Sequence, residues 1–165
     1  MLGVIGPLIW PNSSLATTKA EILQLISNTE REYNIPVGLL SAIAKTESNL
    51  EPYALNINGR SKYFKDKEAA LNTINQSLEA GITNIDIGIA QVNYKWHQQN
   101  FRSLEEMLSP KSNIRYAAEL LFKLKQQHGD WHTAIRRYHS ANPDHYKKYS
   151  RKIVLCWLNS NVRSN

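Results

Sequence analysis

One carboxylate in this chain is aimed where carboxylates are rarely found. In "AIAKTESNL" (residues 42–50), Glu47 follows Leu39, Leu40, Ile43 and Ala44 at helical spacing. On a wheel of about 100° per residue with Val37 at zero, Leu39, Leu50, Ile43, Leu40, Ala44 and Val37 fill an arc from roughly 200° to 360°. Glu47 falls near roughly 280°, inside that arc, and no Lys or Arg shares the face. A desolvated carboxylate without a partner is costly to keep charged, so it retains its proton to higher pH than usual. That is the property a general acid needs near neutrality. The plain alternatives are a Glu just past its helix end, or one paired with a distant Arg.

Two further stretches carry groups that could work with it. "DIGIAQVN" (86–93) supplies a second carboxylate, Asp86, with Gly88, Gln91 and Asn93 close behind. Asp86 reads either as a turn cap ahead of Gly88 or as a partner facing Glu47 across a cleft. "AIRRYHSANP" (134–143) supplies Tyr138 and His139. Tyr138 also shares an apolar stripe with Trp131, Ala134 and Ile135, so a core tyrosine is its plain reading. A single His in that place reads first as a structural hydrogen-bonder. The five His lack a helical H-x-x-x-H pairing, and one cysteine, Cys156, can form neither an intrachain disulfide nor a cysteine zinc cage. Acid/base chemistry of this kind needs no metal or cofactor.

The elements that must position these groups are mostly helical. Thr18-Lys-Ala-Glu21 is a capping box, followed by Ile22, Leu25, Ile26 and Thr29 at helical spacing, which predicts a helix ending near Asn34. Pro36 suits the first position of a second helix over 36–48. Asn58-Gly59, between Tyr53/Leu55/Ile57 and Tyr63/Phe64, predicts a β-hairpin. A helix over 66–80 closes at Gly81, and 82–93 reads as a strand or turn leading into a short helix. Ile114, Ala117, Ala118, Leu121 and Leu124 mark a helix over 113–128 ended by Gly129, and Asp130 can cap the next. A last helix over 144–159 is expected to bury Tyr146, Tyr149, Ile153, Cys156 and Trp157. The fold class is therefore α+β, predominantly helical with one small hairpin, organised as a single domain over residues 17–160.

The chain has 165 residues, 42% of them hydrophobic, with a formal net charge of +6. That composition fits a folded domain and predicts an anionic partner. No apolar run reaches the roughly 18 residues of a membrane helix. "LGVIGPLIW" (2–10) followed by Ser14-Leu15-Ala16 reads as an incomplete export signal, or else as an N-terminal arm over residues 1–16.

At the level of motifs the chain resembles the soluble lytic transglycosylases. "IPVGLLSAIAKTESNLEPYAL" is similar to that family's catalytic segment, a helix ending in Glu-Ser. "DIGIAQVN" resembles its Gly-Leu-Met-Gln motif, with Gly88 and Gln91 matching and Ile89-Ala90 departing. "NIRYAAELLFKL" (113–124) resembles the following helix, and "AIRRYHSANP" stands where the family has Ala-Tyr-Asn-Ala-Gly, with His139 and Ser140 replacing Asn-Ala. The four motifs occur in the family's order over residues 33–142. The stretch from Asn58 to Gly88 resembles the small transglycosylases of conjugation, type IV secretion and pilus systems.

The resemblance implies a lysozyme-like fold. It also implies cleavage of the MurNAc–GlcNAc β-1,4 bond of peptidoglycan, with Glu47 as the one acid/base and a 1,6-anhydro product. Ser48 would help hold the glutamate or the sugar, and Gln91, Asn93, Tyr138 and His139 would support or contact substrate. The implied setting is the periplasm, as a monomer on glycan strands, near a secretion, conjugation or pilus apparatus. "NIDIGIAQVN" also resembles the Ser-Thr-Asp-Tyr-Gly-x-x-Gln-Ile-Asn stretch of animal-type lysozymes, which would make Asp86 a second carboxylate and the reaction hydrolysis. A nucleic-acid module is the rival from another class, because "RRYHSANPDHYKKYSRK" interleaves cations and aromatics. Tyr146 and Tyr149 fall in register with Ile153 and Cys156, however, which turns the cations into a solvated face and leaves Glu47 unexplained. A non-catalytic glycan-binding scaffold is the third reading, and the intact Glu-Ser argues against it.

Overall fold

The computed structural model describes residues 18–139 and 143–162, with the side chains of 143–146 and 160–162 left aside. The expected N-terminal arm, Ser140 and the Tyr146 side chain lie outside the described residues. Eight helices and four strands follow in order among them: α1 (Lys19–Glu32), α2 (Leu39–Ser48), β1 (Ala54–Ile57), β2 (Arg60–Tyr63), α3 (Lys67–Glu79), β3 (Ile85–Ile87), β4 (Val92–Asn93), α4 (Tyr94–His97), α5 (Leu104–Leu108), α6 (Pro110–His128), α7 (Trp131–His139) and α8 (Pro143–Val162). The architecture is an α+β, mostly helical, lysozyme-like fold.

Local sequence accounts for most of these boundaries. The Thr18–Glu21 capping box forms, with Glu21 N–H donating to the Thr18 hydroxyl and Thr18 N–H to the Glu21 carboxylate. Asn58 and Gly59 both take positive φ, 49° and 83°, as a two-residue hairpin with right-handed twist demands. Gly129 ends α6 in the left-handed region, and Asp130 caps α7 through Thr133 N–H at 2.8 Å.

Three expectations are corrected. The second helix starts at Leu39 rather than Pro36, because Gly38 turns left-handed (φ 82°) and the cap comes from outside the segment. The Glu30 carboxylate of α1 accepts from Gly38, Leu40 and Ser41 N–H at 2.9, 2.8 and 3.2 Å, satisfying the orphan donors of α2. Val37, left outside the helix, is 75% exposed rather than part of the apolar arc. The β-element is also larger than a hairpin: β3 and β4 add to it in an antiparallel sheet of order β2-β1-β3-β4. The last helix extends to Pro143–Val162, beyond 144–159 at both ends.

Helix α2 lies at the centre. Leu39, Leu40, Ala42, Ile43 and Ala44 belong to one buried cluster with Ile22 and Ile26 of α1, Ala117 and Leu121 of α6, and Ile153 of α8. Burial of this kind, about 25 cal/mol per Å² of apolar surface, is what holds the helix in place. It leaves the C-terminal turn of α2, with Glu47, facing the sheet.

Candidate active site

Glu47 is half-buried on the last turn of α2, which Asn49 and Leu50 end by turning left-handed (φ 57° and 65°). The wheel therefore applies to it. Its carboxylate accepts a hydrogen bond from the Tyr149 hydroxyl of α8 at 2.6 Å. Burial pushes the Glu47 carboxyl up to about 7, against the Tyr149 bond, with the Asp86 charge raising it and Lys152 lowering it.

The neighbouring floor is the turn 88–91, closed by Gln91 N–H to the Gly88 carbonyl at 3.1 Å. Gly88 has φ 78°, and a Cβ there would meet the Asn113 side chain at 2.8 Å. Asn113 is fully buried: its amide donates to the Ile87 and Met107 carbonyls, and its oxygen accepts from Ala90 N–H at 2.8 Å. Ser48 is buried as well, its Oγ 2.7 Å from the Ile89 carbonyl and 3.1 Å from Ala44. Ser48 thus ties the end of α2 to this turn, with its hydroxyl turned to backbone carbonyls. Gln91, at φ 49°, spends its amide N–H groups on the Gly88 and Ala54 carbonyls at 2.8 and 3.2 Å.

Asp86 is not a turn cap. It lies in β3, opposite Asn56 of β1 and Asn93 of β4, and the Asn93 amide donates to its carboxylate at 2.7 Å. Burial raises the Asp86 carboxyl, and the Asn93 bond opposes that shift.

These pieces enclose a cavity of about 310 Å³ lined by Glu47, Asn56, Ser61, Asp86, Gln91, Val92, Asn93, Trp96, His97, Leu120, Tyr138 and His139. It brings together every residue singled out from sequence except Ser48, which lies behind its wall. A larger cavity of about 690 Å³, between the start of α1 and the hairpin, contains none of them. Tyr138 lines the cavity while its ring packs against the core, and its hydroxyl donates to the Ala90 carbonyl at 3.0 Å. His139 stacks on Tyr149, ring centroids 4.1 Å apart and planes 9° apart. Among the described residues no cluster of three or more His, Cys, Asp or Glu could hold a metal, and no helix is long and apolar enough to cross a membrane.

Sequence reasoning missed Tyr149, treating it as core. The signal was available in principle: a buried phenol needs an acceptor, and Glu47 was the carboxylate without a donor. It also missed Asn113, a polar side chain in register with Ala117 and Leu121, and Glu30. Asn56, Ser61, Trp96 and His97 carry no local mark of a cavity wall.

One carboxyl able to hold a proton near neutrality, Glu47, lines a polar, solvent-open cavity together with a second carboxyl, Asp86. That arrangement suits protonation of a leaving oxygen. The profile of the transglycosylase SLT domain family matches residues 24–152. Protein IpgF of Shigella sonnei is 30% identical over 127 residues, which is 74% of this chain and 68% of that protein. Protein IpgF of Shigella flexneri is similar to the same extent. No solved structure gives a significant match.

Proposed function

The chain belongs to the transglycosylase SLT family, which acts on peptidoglycan, and from that premise we propose that it cleaves the MurNAc–GlcNAc β-1,4 bond as a lytic transglycosylase with Glu47 as its one acid/base. Protonated Glu47 gives its proton to the glycosidic oxygen as the bond to C1 breaks. The resulting carboxylate then takes the proton of the muramic 6-hydroxyl while that oxygen closes on C1. A 1,6-anhydro end forms, no water is consumed, and Glu47 returns to its starting state.

The observation that carries this reading is the raised carboxyl of Glu47 in the cavity floor, bonded by Tyr149. A group titrating near about 7 is able both to give and to recover a proton at neutral pH. Asp86, held by Asn93 in the same cavity, supports the developing positive charge at C1. Gln91, Asn93, Tyr138 and His139 line the same cavity as substrate-facing groups, and residues 17–160 act as one catalytic domain. The setting we infer is the periplasm, where the protein opens the wall locally for a secretion, conjugation or pilus apparatus. The Asn58–Gly88 insertion supports that setting by its resemblance to the small enzymes of such systems.

The second reading, a hydrolytic muramidase, is favoured by one observation: Asp86 lies in the cavity with Glu47 rather than capping a turn. Mass spectrometry of muropeptides released from purified peptidoglycan separates the two. Products one water lighter than reducing-end muropeptides, absent with Glu47→Gln, are expected. Reducing ends would establish the muramidase, and release by Glu47→Gln equal to wild type would remove Glu47 from the chemistry.

A further inference from the structure

The charge of this protein is concentrated on one side of the cavity. Residues 131–162 hold six Lys and Arg against one Asp, a net +5 of the chain's +6. These are α7 and α8, the two helices that contribute Tyr138, His139 and Tyr149 to the candidate site. Arg137, Lys147, Lys148, Arg151 and Lys152 are all exposed, and none makes an ion pair among the described residues. Of the exposed cations elsewhere, Lys19, Arg102 and Arg115 pair with Glu51, Glu106 and Glu32, while Lys45, Lys62 and Lys111 form no ion pair among the described residues.

Helical geometry puts part of this charge, Lys148 and Lys152, on the cavity side of α8. Tyr149 reaches Glu47, and the Lys152 charge acts on the same carboxyl. Lys148 precedes Lys152 by one turn on the same side of α8, about 6 Å along the axis. Arg137 stands one position before Tyr138, turned by about 100° toward solvent. The floor has the opposite sign, with Glu47 and Asp86. A phosphate chain laid along the cleft would press its charges on both carboxylates, and like charges there are unfavourable. Among the described residues a bilayer would find only Leu155 and Leu158 exposed between these cations, too little apolar surface for an interfacial helix. The complementary ligand is neutral where it meets the floor and anionic where it emerges over α7 and α8.

We propose that the rim of Arg137, Lys148 and Lys152 binds the carboxylates of peptide stems on the glycan, so that the protein selects peptide-bearing strands over bare ones. This rests on the reading of the cavity as a glycan cleft. Sugars occupy the floor, and the stems project across the rim.

The test is retention of the Glu47→Gln protein, which leaves its ligand uncut, on intact sacculi and on sacculi stripped of stems by an amidase. Stripped strands keep one lactyl carboxylate per muramic acid, close to the ring. An exposed ion pair changes affinity by a factor of about 1.5 to 5, so several together should favour intact sacculi about fivefold at low salt, with the preference shrinking at high salt. Adding Lys148→Gln and Lys152→Gln should bring the ratio below about twofold, whereas Lys111→Gln with Lys123→Gln, the same loss of charge on α6, should leave it near fivefold. Equal retention on both sacculi, or equal loss of the ratio in the α6 control, would overturn the proposal. So would tighter retention on phosphatidylglycerol vesicles or duplex DNA than on intact sacculi at the same salt. If wild type releases no muropeptides but the ratio persists, the catalytic reading falls and the rim stands. If release is normal and the ratio is absent, the rim falls alone.

Discussion

The two sides of the cavity are built on different principles. Around its two carboxylates, the floor, made by the end of α2, β3 and the 88–91 turn, spends its polar side chains on the backbone. Ser48 holds the Ile89 carbonyl, Gln91 holds Gly88 and Ala54, and Asn113 answers two carbonyls and one N–H. The wall, made by α7 and α8, reaches in with aromatic rings that each place one hydroxyl: Tyr138 on the Ala90 carbonyl, and Tyr149 on Glu47 itself. Floor groups are buried substitutes for a hydrogen-bond ladder, so the fold depends on them. The Tyr149 hydroxyl touches the acid, so it bears on chemistry more than on folding.

The sharpest way to break this contrast is Asn113→Ala. It leaves the Ile87 and Met107 carbonyls and the Ala90 N–H without their bonds in a fully buried place. Unsatisfied buried groups cost about 1–3 kcal/mol each, so a loss of at least about 3 kcal/mol is expected in chemical denaturation. A loss under about 1 kcal/mol would mean that water replaces the amide and that the floor is not the structural half.

Tyr149→Phe probes the other side. It keeps the ring and its stack on His139 while removing only the hydroxyl. Stability should change by less than about 1 kcal/mol, yet activity should fall about tenfold, as expected for a hydrogen bond to a charged group worth about 1.5 kcal/mol. The pH profile carries the sign. Activity requires the protonated acid, so it declines as pH rises through about 7 in wild type. Tyr149 lowers that carboxyl by bonding its charged form. The variant's decline should therefore move to higher pH, by about one unit for about 1.4 kcal/mol. A limb that stays in place, or moves down, would detach Tyr149 from Glu47.

The contrast also explains which parts were legible in sequence. Glu47 on its wheel, the Asn58-Gly59 turn and the Gly129 stop are decided by neighbours within a few residues, and the structure keeps each of them. The start of α2 was misread because its cap is Glu30, a carboxylate from another helix eight to eleven residues away. Asp86 looked like a turn cap because pairing with Asn56 and Asn93 depends on sheet neighbours that local chemistry does not name. Tyr149 was hidden furthest: its partner is 102 residues away, and its apolar register was real, since the ring is buried while only the oxygen meets Glu47.

Ser48→Ala is the smallest change and the one that joins the two halves. The hydroxyl proton can serve the Ile89 carbonyl at 2.7 Å or the Ala44 carbonyl at 3.1 Å, and the shorter contact links α2 to the floor turn. Removing it should cost about 1 kcal/mol, the ordinary net worth of one such bond. If Ser48 acts only through the fold, activity per folded molecule should stay within about twofold of wild type and the pH limb should not move. If it instead sets the angle at which Glu47 leaves the helix, activity should fall well beyond twofold while stability changes by the same small amount. The second pattern would mean that the floor also positions the acid, and that the division between a structural side and a chemical side ends one residue from Glu47.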